Sequence, residues 1–174
     1  TQGRQVIQGL EPVALPELRA LGAPRNWPVE GHLKAMPSLT PVRGHLTAEH
    51  RGNVLAVDAE LATIVTLTCD RCLGQFNQQL SCSPSELIWL GDAPPSEQEL
   101  EASEDVASME GLVECLDPRG HFDPEQWVFE QLHLQRPVVN RCGDHCPGAP
   151  GLNQDHDGAV QDPRWEALRQ LRNR

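Results

Sequence analysis

Between Pro41 and Leu90 the chain alternates apolar and polar residues with a period of two, and this run narrows the possible folds more than any other feature. Val42, Gly44, Leu46 and Ala48 fall on one side of an extended chain. After His50-Arg51-Gly52-Asn53 the pattern resumes at Val54-Leu55-Ala56-Val57 and continues through Leu61, Ile64-Val65 and Leu67. Successive side chains of a strand point to opposite faces, so such a run builds half-buried antiparallel strands, with residues 50–53 as the first turn. Phe76, Leu80 and Leu87-Ile88-Trp89-Leu90 supply a third long strand. Ser83-Pro84 is the place where it breaks, because proline has no N–H to give to a ladder.

Helical signals flank this block. Leu15-Pro16-Glu17-Leu18-Arg19-Ala20-Leu21-Gly22 places Pro near the start and Gly at the end of one or two turns. Asp123-Pro124-Glu125 combines an N-cap residue, a first-turn proline and an acid, and predicts a helix to about Gln135 with a broad apolar side of Trp127, Val128, Leu132 and Leu134 before Pro137 stops it. Asp162-Pro163-Arg164 repeats that start for a last helix carrying Trp165, Leu168 and Leu171. The expected fold is α+β: an antiparallel β meander or partly open barrel with two C-terminal helices. A length of 174 residues suits one domain over 1–174.

The 14 Lys and Arg against 25 Asp and Glu leave a net charge of −11, unevenly spread. Residues 1–52 carry six basic and four acidic side chains, residues 53–135 two and 16, and residues 136–174 six and five. Nine acids and no Lys or Arg lie between Glu86 and Glu114. Residues 92–110, with Pro94-Pro95 and no apolar period, are expected to form an acidic flexible loop. Two readings stand: a solvated, self-repelling segment, or a docking strip on which Glu97, Glu99, Glu101, Glu104 and Asp105 attract a basic partner. The sign is wrong for bare nucleic acid, whose phosphates need Lys and Arg. No run approaches the ~18 apolar residues of a membrane span, and no membrane role is expected. With Thr1 first, an initiator Met or a leader is expected to have preceded it; the default location is the cytoplasm, or the plastid stroma after removal of a transit peptide.

Six cysteines occur, at 69, 72, 82, 115, 142 and 146. Cys69-Asp70-Arg71-Cys72 joins two strand-like runs, and a two-residue gap lets both thiolates converge on one tetrahedral ion. Cys142-Gly143-Asp144-His145-Cys146 is a second clip with ligand spacing. Cys69, Cys72, Cys142 and Cys146 therefore form a candidate structural zinc site that would close a long loop, with His145 as an alternative ligand in the second clip. A redox Cys-x-x-Cys pair is the competing reading, although such pairs sit at helix starts. Cys82 and Cys115 have no local partners and suit small buried apolar positions. No Gly-x-Ser-x-Gly, phosphate loop or His-Glu-x-x-His motif occurs, and the expectation is a protein that is not an enzyme.

Cys69-x-Arg71-Cys72-Leu73, then Glu130-x-Leu132-x-Leu134-x-x-Pro137, the second cysteine pair, Gly151-Leu152-Asn153 and Asp162-Pro163-Arg164-x-x-x-Leu168-x-x-Leu171 follow one another in an order that resembles the YceD-like proteins of bacteria and plastids. Residues 137–142 look like a cyanobacterial or plastid-type version. The chain departs from the fullest family pattern at Ala149-Pro150, where a further cysteine would fall. The resemblance implies a non-enzymatic ribosome biogenesis factor that supports accumulation or processing of large-subunit ribosomal RNA. Its implied partner is a basic ribosomal protein or a pre-large-subunit particle, with rRNA touched indirectly or through Arg71, Arg141 and Arg164. Thiol-redox or metal-handling chemistry and a generic protein-interaction module are the alternatives.

Overall fold

The computed structural model describes residues 6–96, 98–99 and 114–149. In chain order its elements are β1 (Val13–Ala14), α1 (Leu15–Leu21), β2 (Arg25–Gly31), β3 (Val42–Arg51), β4 (Val54–Thr68), β5 (Gln75–Cys82), β6 (Ser85–Leu90), β7 (Cys115–Leu116), β8 (His121–Phe122) and α2 (Pro124–Leu134).

β4 organises the sheet. β3 pairs with it antiparallel from Arg51↔Val54 to Arg43↔Ala62, across a two-residue turn in which Gly52 takes φ 63°. Such a turn needs left-handed backbone that glycine adopts at no steric cost. Along its other edge β4 pairs first with β6, from Val54↔Trp89 to Asp58↔Ser85, and then with β5, from Leu61↔Cys82 to Thr68↔Gln75. Residues 59–60 thus lie opposite 83–84, and the expected interruption at Ser83-Pro84 leaves the register unchanged. Ala59 N donates to the Pro84 carbonyl at 3.0 Å, so proline keeps the one ladder bond it can make.

β2 adds antiparallel to β3, and β7 adds parallel to β6 at Trp89↔Cys115 and Leu90↔Leu116. Among the described residues β2 makes no pair back across the sheet, which is open rather than closed into a barrel. β2 is absent from the expected strands because Pro28 interrupts its pattern; the residue is tolerated on an edge strand, opposite His45.

The alternation sets the core. Val57, Ala59, Leu61, Thr63, Val65 and Leu67 of β4 are buried, with Trp27, Val29, Leu46, Leu80 and Ile88 from the neighbouring strands. Gly44 lies opposite Leu61 at φ 150°, and a Cβ there would overlap the Glu60 carbonyl oxygen. On the opposite face Val54 and Trp89 form a smaller cluster with Leu87 and Cys115. Cys82 packs against the main core, so Cys82 and Cys115 both take apolar positions.

α2 begins as expected, with the Asp123 side chain accepting from Gln126 N at 3.0 Å and Pro124 in the first turn. Trp127, Val128 and Leu132 are buried, whereas Leu134, expected on the same apolar side, is exposed because it closes the last turn beyond the sheet contact; Trp127 Nε1 donates to Glu86 Oε2 of β6 at 2.7 Å, which holds the helix on the sheet. The β1–β8 pair, Val13↔Phe122 and Ala14↔His121, joins the start of α1 to the entry of α2. The second expected C-terminal helix and all of the acidic loop except residues 92–96 and 98–99 lie outside the described residues.

Candidate metal centre

The β4–β5 connection is a six-residue turn, Cys69 to Gly74, closed by a bond from Cys69 N to the Gly74 carbonyl at 2.8 Å. Leu73 N donates to the Cys69 carbonyl at 2.9 Å and takes φ 60°, the only positive φ outside glycine among the described residues. That strained backbone lets the chain curl so that both thiols of the turn face the same point.

The second clip reaches this point from the end of α2. Asp70 N donates to the Asn140 carbonyl at 2.9 Å, and Asn140 N donates back to Asp70 Oδ2 at 2.7 Å. This reciprocal pair docks residues 137–149 onto the turn. It brings Cys69 Sγ within 3.8 Å of Cys146 Sγ and Cys72 Sγ within 3.7 Å of Cys142 Sγ. All four Sγ atoms lie within 4.8 Å of one another.

These distances test the site. Disulfide sulfurs would sit about 2.05 Å apart. A tetrahedral ion with metal–sulfur bonds of about 2.3 Å instead places its ligands about 3.8 Å apart along each edge. The four sulfurs fit a metal ion and not two disulfides.

Electrostatics points the same way. The backbone amides of Cys72 and Arg71, followed by that of Cys142, aim at Cys69 Sγ and pull its pKa down to about 6. Cys142, hydrogen-bonded to Cys146 and crowded by the other thiols, is pushed up to about 12. Four thiols at this spacing cannot all ionise without a cation between them, and a divalent ion removes that obstacle.

All four expected ligands therefore come together, and His145, an exposed residue, stands outside the group. Arg71 and Arg141 are both exposed, each next to one member of the Asp70–Asn140 pair, so the fold brings them to the same end of the molecule. Arg164, Glu97, Glu101, Glu104 and Asp105 lie outside the described residues. Glu99 is described: Ser96 N and Oγ donate to its Oε2 at 2.8 and 2.7 Å, which lowers its pKa. The Asp70–Asn140 clamp escaped the sequence reading, since nothing in either residue's neighbourhood marks a partner seventy positions away.

Among the described residues no helix is long and apolar enough to cross a membrane. No curated protein and no solved structure matches the chain. One family model does, described as large ribosomal RNA subunit accumulation protein YceD, over residues 57–172. That span opens within β4 and contains both cysteine clips. The chain belongs to the YceD family, whose name assigns it a role in accumulation of large-subunit ribosomal RNA.

Proposed function

We propose that the protein is a non-enzymatic ribosome biogenesis factor that supports large-subunit rRNA accumulation by binding a basic ribosomal protein or a pre-large-subunit particle in the cytoplasm. The family match over residues 57–172 carries this reading. The charge distribution supports the binding mode. Residues 53–135 hold 16 acidic and two basic side chains, a field that attracts cationic surfaces. Glu97, Glu99, Glu101, Glu104 and Asp105 are the proposed contacts for the basic partner, and Arg71, Arg141 and Arg164 those nearest to rRNA.

The metal centre fits zinc in a structural role. Four thiolates from Cys69, Cys72, Cys142 and Cys146 would fill all four positions of a tetrahedral ion and leave none for water or substrate, as in closed structural sites. When bound, zinc would supply cross-linking of the β4–β5 turn to the segment after α2. The chain's own groups do the rest: amides hold Cys69 as thiolate, and the Asp70–Asn140 pair aligns the clips.

Depletion of the protein followed by profiling of ribosomal particles tests the function; a deficit of large-subunit rRNA is expected, and unchanged mature and precursor levels would refute it. A strip-mediated partner contact should weaken with salt and vanish when Glu97, Glu99, Glu101 and Glu104 are neutralised. The thiol-redox alternative predicts a reversible Cys69–Cys72 disulfide at cytosolic potentials, whereas the structural reading predicts one zinc per chain and four protected thiols.

A further inference from the structure

The sheet has two edges, and they are built differently. Backbone bonds from Cys69 N to Gly74 O and from Ala59 N to Pro84 O show which residues of the β5–β6 lane face β4. Antiparallel pairing alternates, so Phe76, Gln78, Leu80 and Cys82 spend their backbone groups on β4. Gln75, Asn77, Gln79 and Ser81 direct theirs away from the sheet. Further along the lane the equivalent groups are used: Trp89 N donates to Glu114 O at 2.8 Å and Gly91 N to Leu116 O at 3.0 Å, where β7 lies alongside. Beside β5 no strand is paired among the described residues; one outward carbonyl, that of Gln79, accepts from the Gln78 side chain at 3.0 Å.

The same alternation, carried through β4 and β3, makes Asn26, Pro28 and Glu30 the outward residues of β2. A proline and a charge there are the usual guards against edge pairing. β5 has neither. Cys72 to Ser85 is the longest stretch of this acidic chain without Asp, Glu, Lys or Arg. Gln75, Asn77, Gln79 and Ser81 are all exposed.

We propose that β5 is a pairing edge for a second copy of this chain, forming a two-fold dimer with one continuous sheet. The outward groups dictate the register. With the axis at Gln78, Asn77 of one copy faces Gln79 of the other and Gln75 faces Ser81, so all four outward residues of each strand are paired. Self-complementarity selects a second copy as the occupant. The edge offers no charge to a basic or acidic strand, and its neutrality removes the local repulsion that two chains of net charge −11 would otherwise meet at contact. Repulsion between charges elsewhere on the two copies is screened over about 8 Å at physiological salt.

The full chain, metal-loaded and reduced, tests this by sedimentation between low and high micromolar concentration. The expected mass doubles with concentration. N77K/Q79K places Lys opposite Lys twice across the axis and should remain monomeric with unchanged circular dichroism. Mixing it with N77E/Q79E should restore a heterodimer. A wild-type monomer throughout, a dimeric N77K/Q79K or a failure of the mixture to pair would each overturn the proposal. Hydrogen exchange on the wild type adds a readout that needs no variant. Amides of Gln75, Asn77, Gln79 and Ser81 should gain protection with concentration; protection already complete at low concentration, as when the edge is covered within one chain, would also overturn it.

Discussion

Two buried tryptophans give the molecule an internal control for the bond that holds α2 to the sheet. Trp127 and Trp27 are each 4% exposed. Trp127 Nε1 donates to Glu86 Oε2 at 2.7 Å, whereas Trp27 Nε1 has no hydrogen-bond partner among the described residues. Replacing either by Phe deletes the same ring atoms, so the packing losses largely cancel in the comparison. The polar terms differ in sign. Trp127→Phe removes a hydrogen bond to a carboxylate, worth about 1.5–3 kcal/mol. Trp27→Phe relieves a buried N–H that bonds to nothing, returning about 1–3 kcal/mol. Trp127→Phe should therefore be the more destabilising by about 2.5 kcal/mol or more, the sum of the lower limits of the two ranges. Urea unfolding of both variants at equal slope measures this difference. Glu86→Ala in the Trp127→Phe background completes a double-mutant cycle whose coupling should match the hydrogen-bond share. Equal losses at the two positions, or a larger loss at Trp27, would refute the assignment of Glu86–Trp127 as the anchor of α2.

Three further outcomes follow from the same geometry. Chelation or Cys142→Ser should lower the thermal midpoint and release the metal, while Cys82→Ala should leave metal content unchanged; inductively coupled plasma analysis beside a melting curve reads both. Burial first, and then the negative charges of Glu86 and Glu130, raise the Glu114 pKa, so the folded state holds that proton more tightly than the unfolded state. Stability from this group is complete below the ordinary glutamate range and is lost as pH rises through the raised value; Glu114→Gln should flatten that slope in pH-dependent urea titrations. Gly44→Ala should destabilise by about 1–3 kcal/mol, because a Cβ would overlap the Glu60 carbonyl and the backbone is held at a positive φ, and a neutral melting curve would contradict this.

The periodic elements were legible because their signals are local. Alternation along 42–68 exposed β3 and β4, and the cap at Asp123 with Pro124 placed the start of α2. The break at Ser83-Pro84 was visible too, but its effect was not, since register depends on the partner strand. β1, β7 and β8 are two residues each, too short to carry any period. β2 was hidden by Pro28, whose acceptability depends on an edge position that only the assembled sheet reveals. At the candidate metal site, the cysteine clips were readable from spacing, and that the thiols of Cys142 and Cys146 converge with those of Cys69 and Cys72 while His145 stands apart emerged only in three dimensions. Leu73 carries no sequence signal for its left-handed conformation, because glycine or asparagine is the usual occupant of such a place.

The reciprocal Asp70–Asn140 contact and the thiol cluster it aligns also have a temporal meaning. During synthesis Cys69 and Cys72 leave the ribosome about seventy residues ahead of Cys142, so throughout that interval the first clip can offer an ion only two ligands. All four thiols can meet only once residue 146 has emerged and the segment after α2 lies against the turn. The assembled four-thiol cluster is thereby a timestamp: it exists only in a chain whose sheet, helix and returning loop have all been made and brought together.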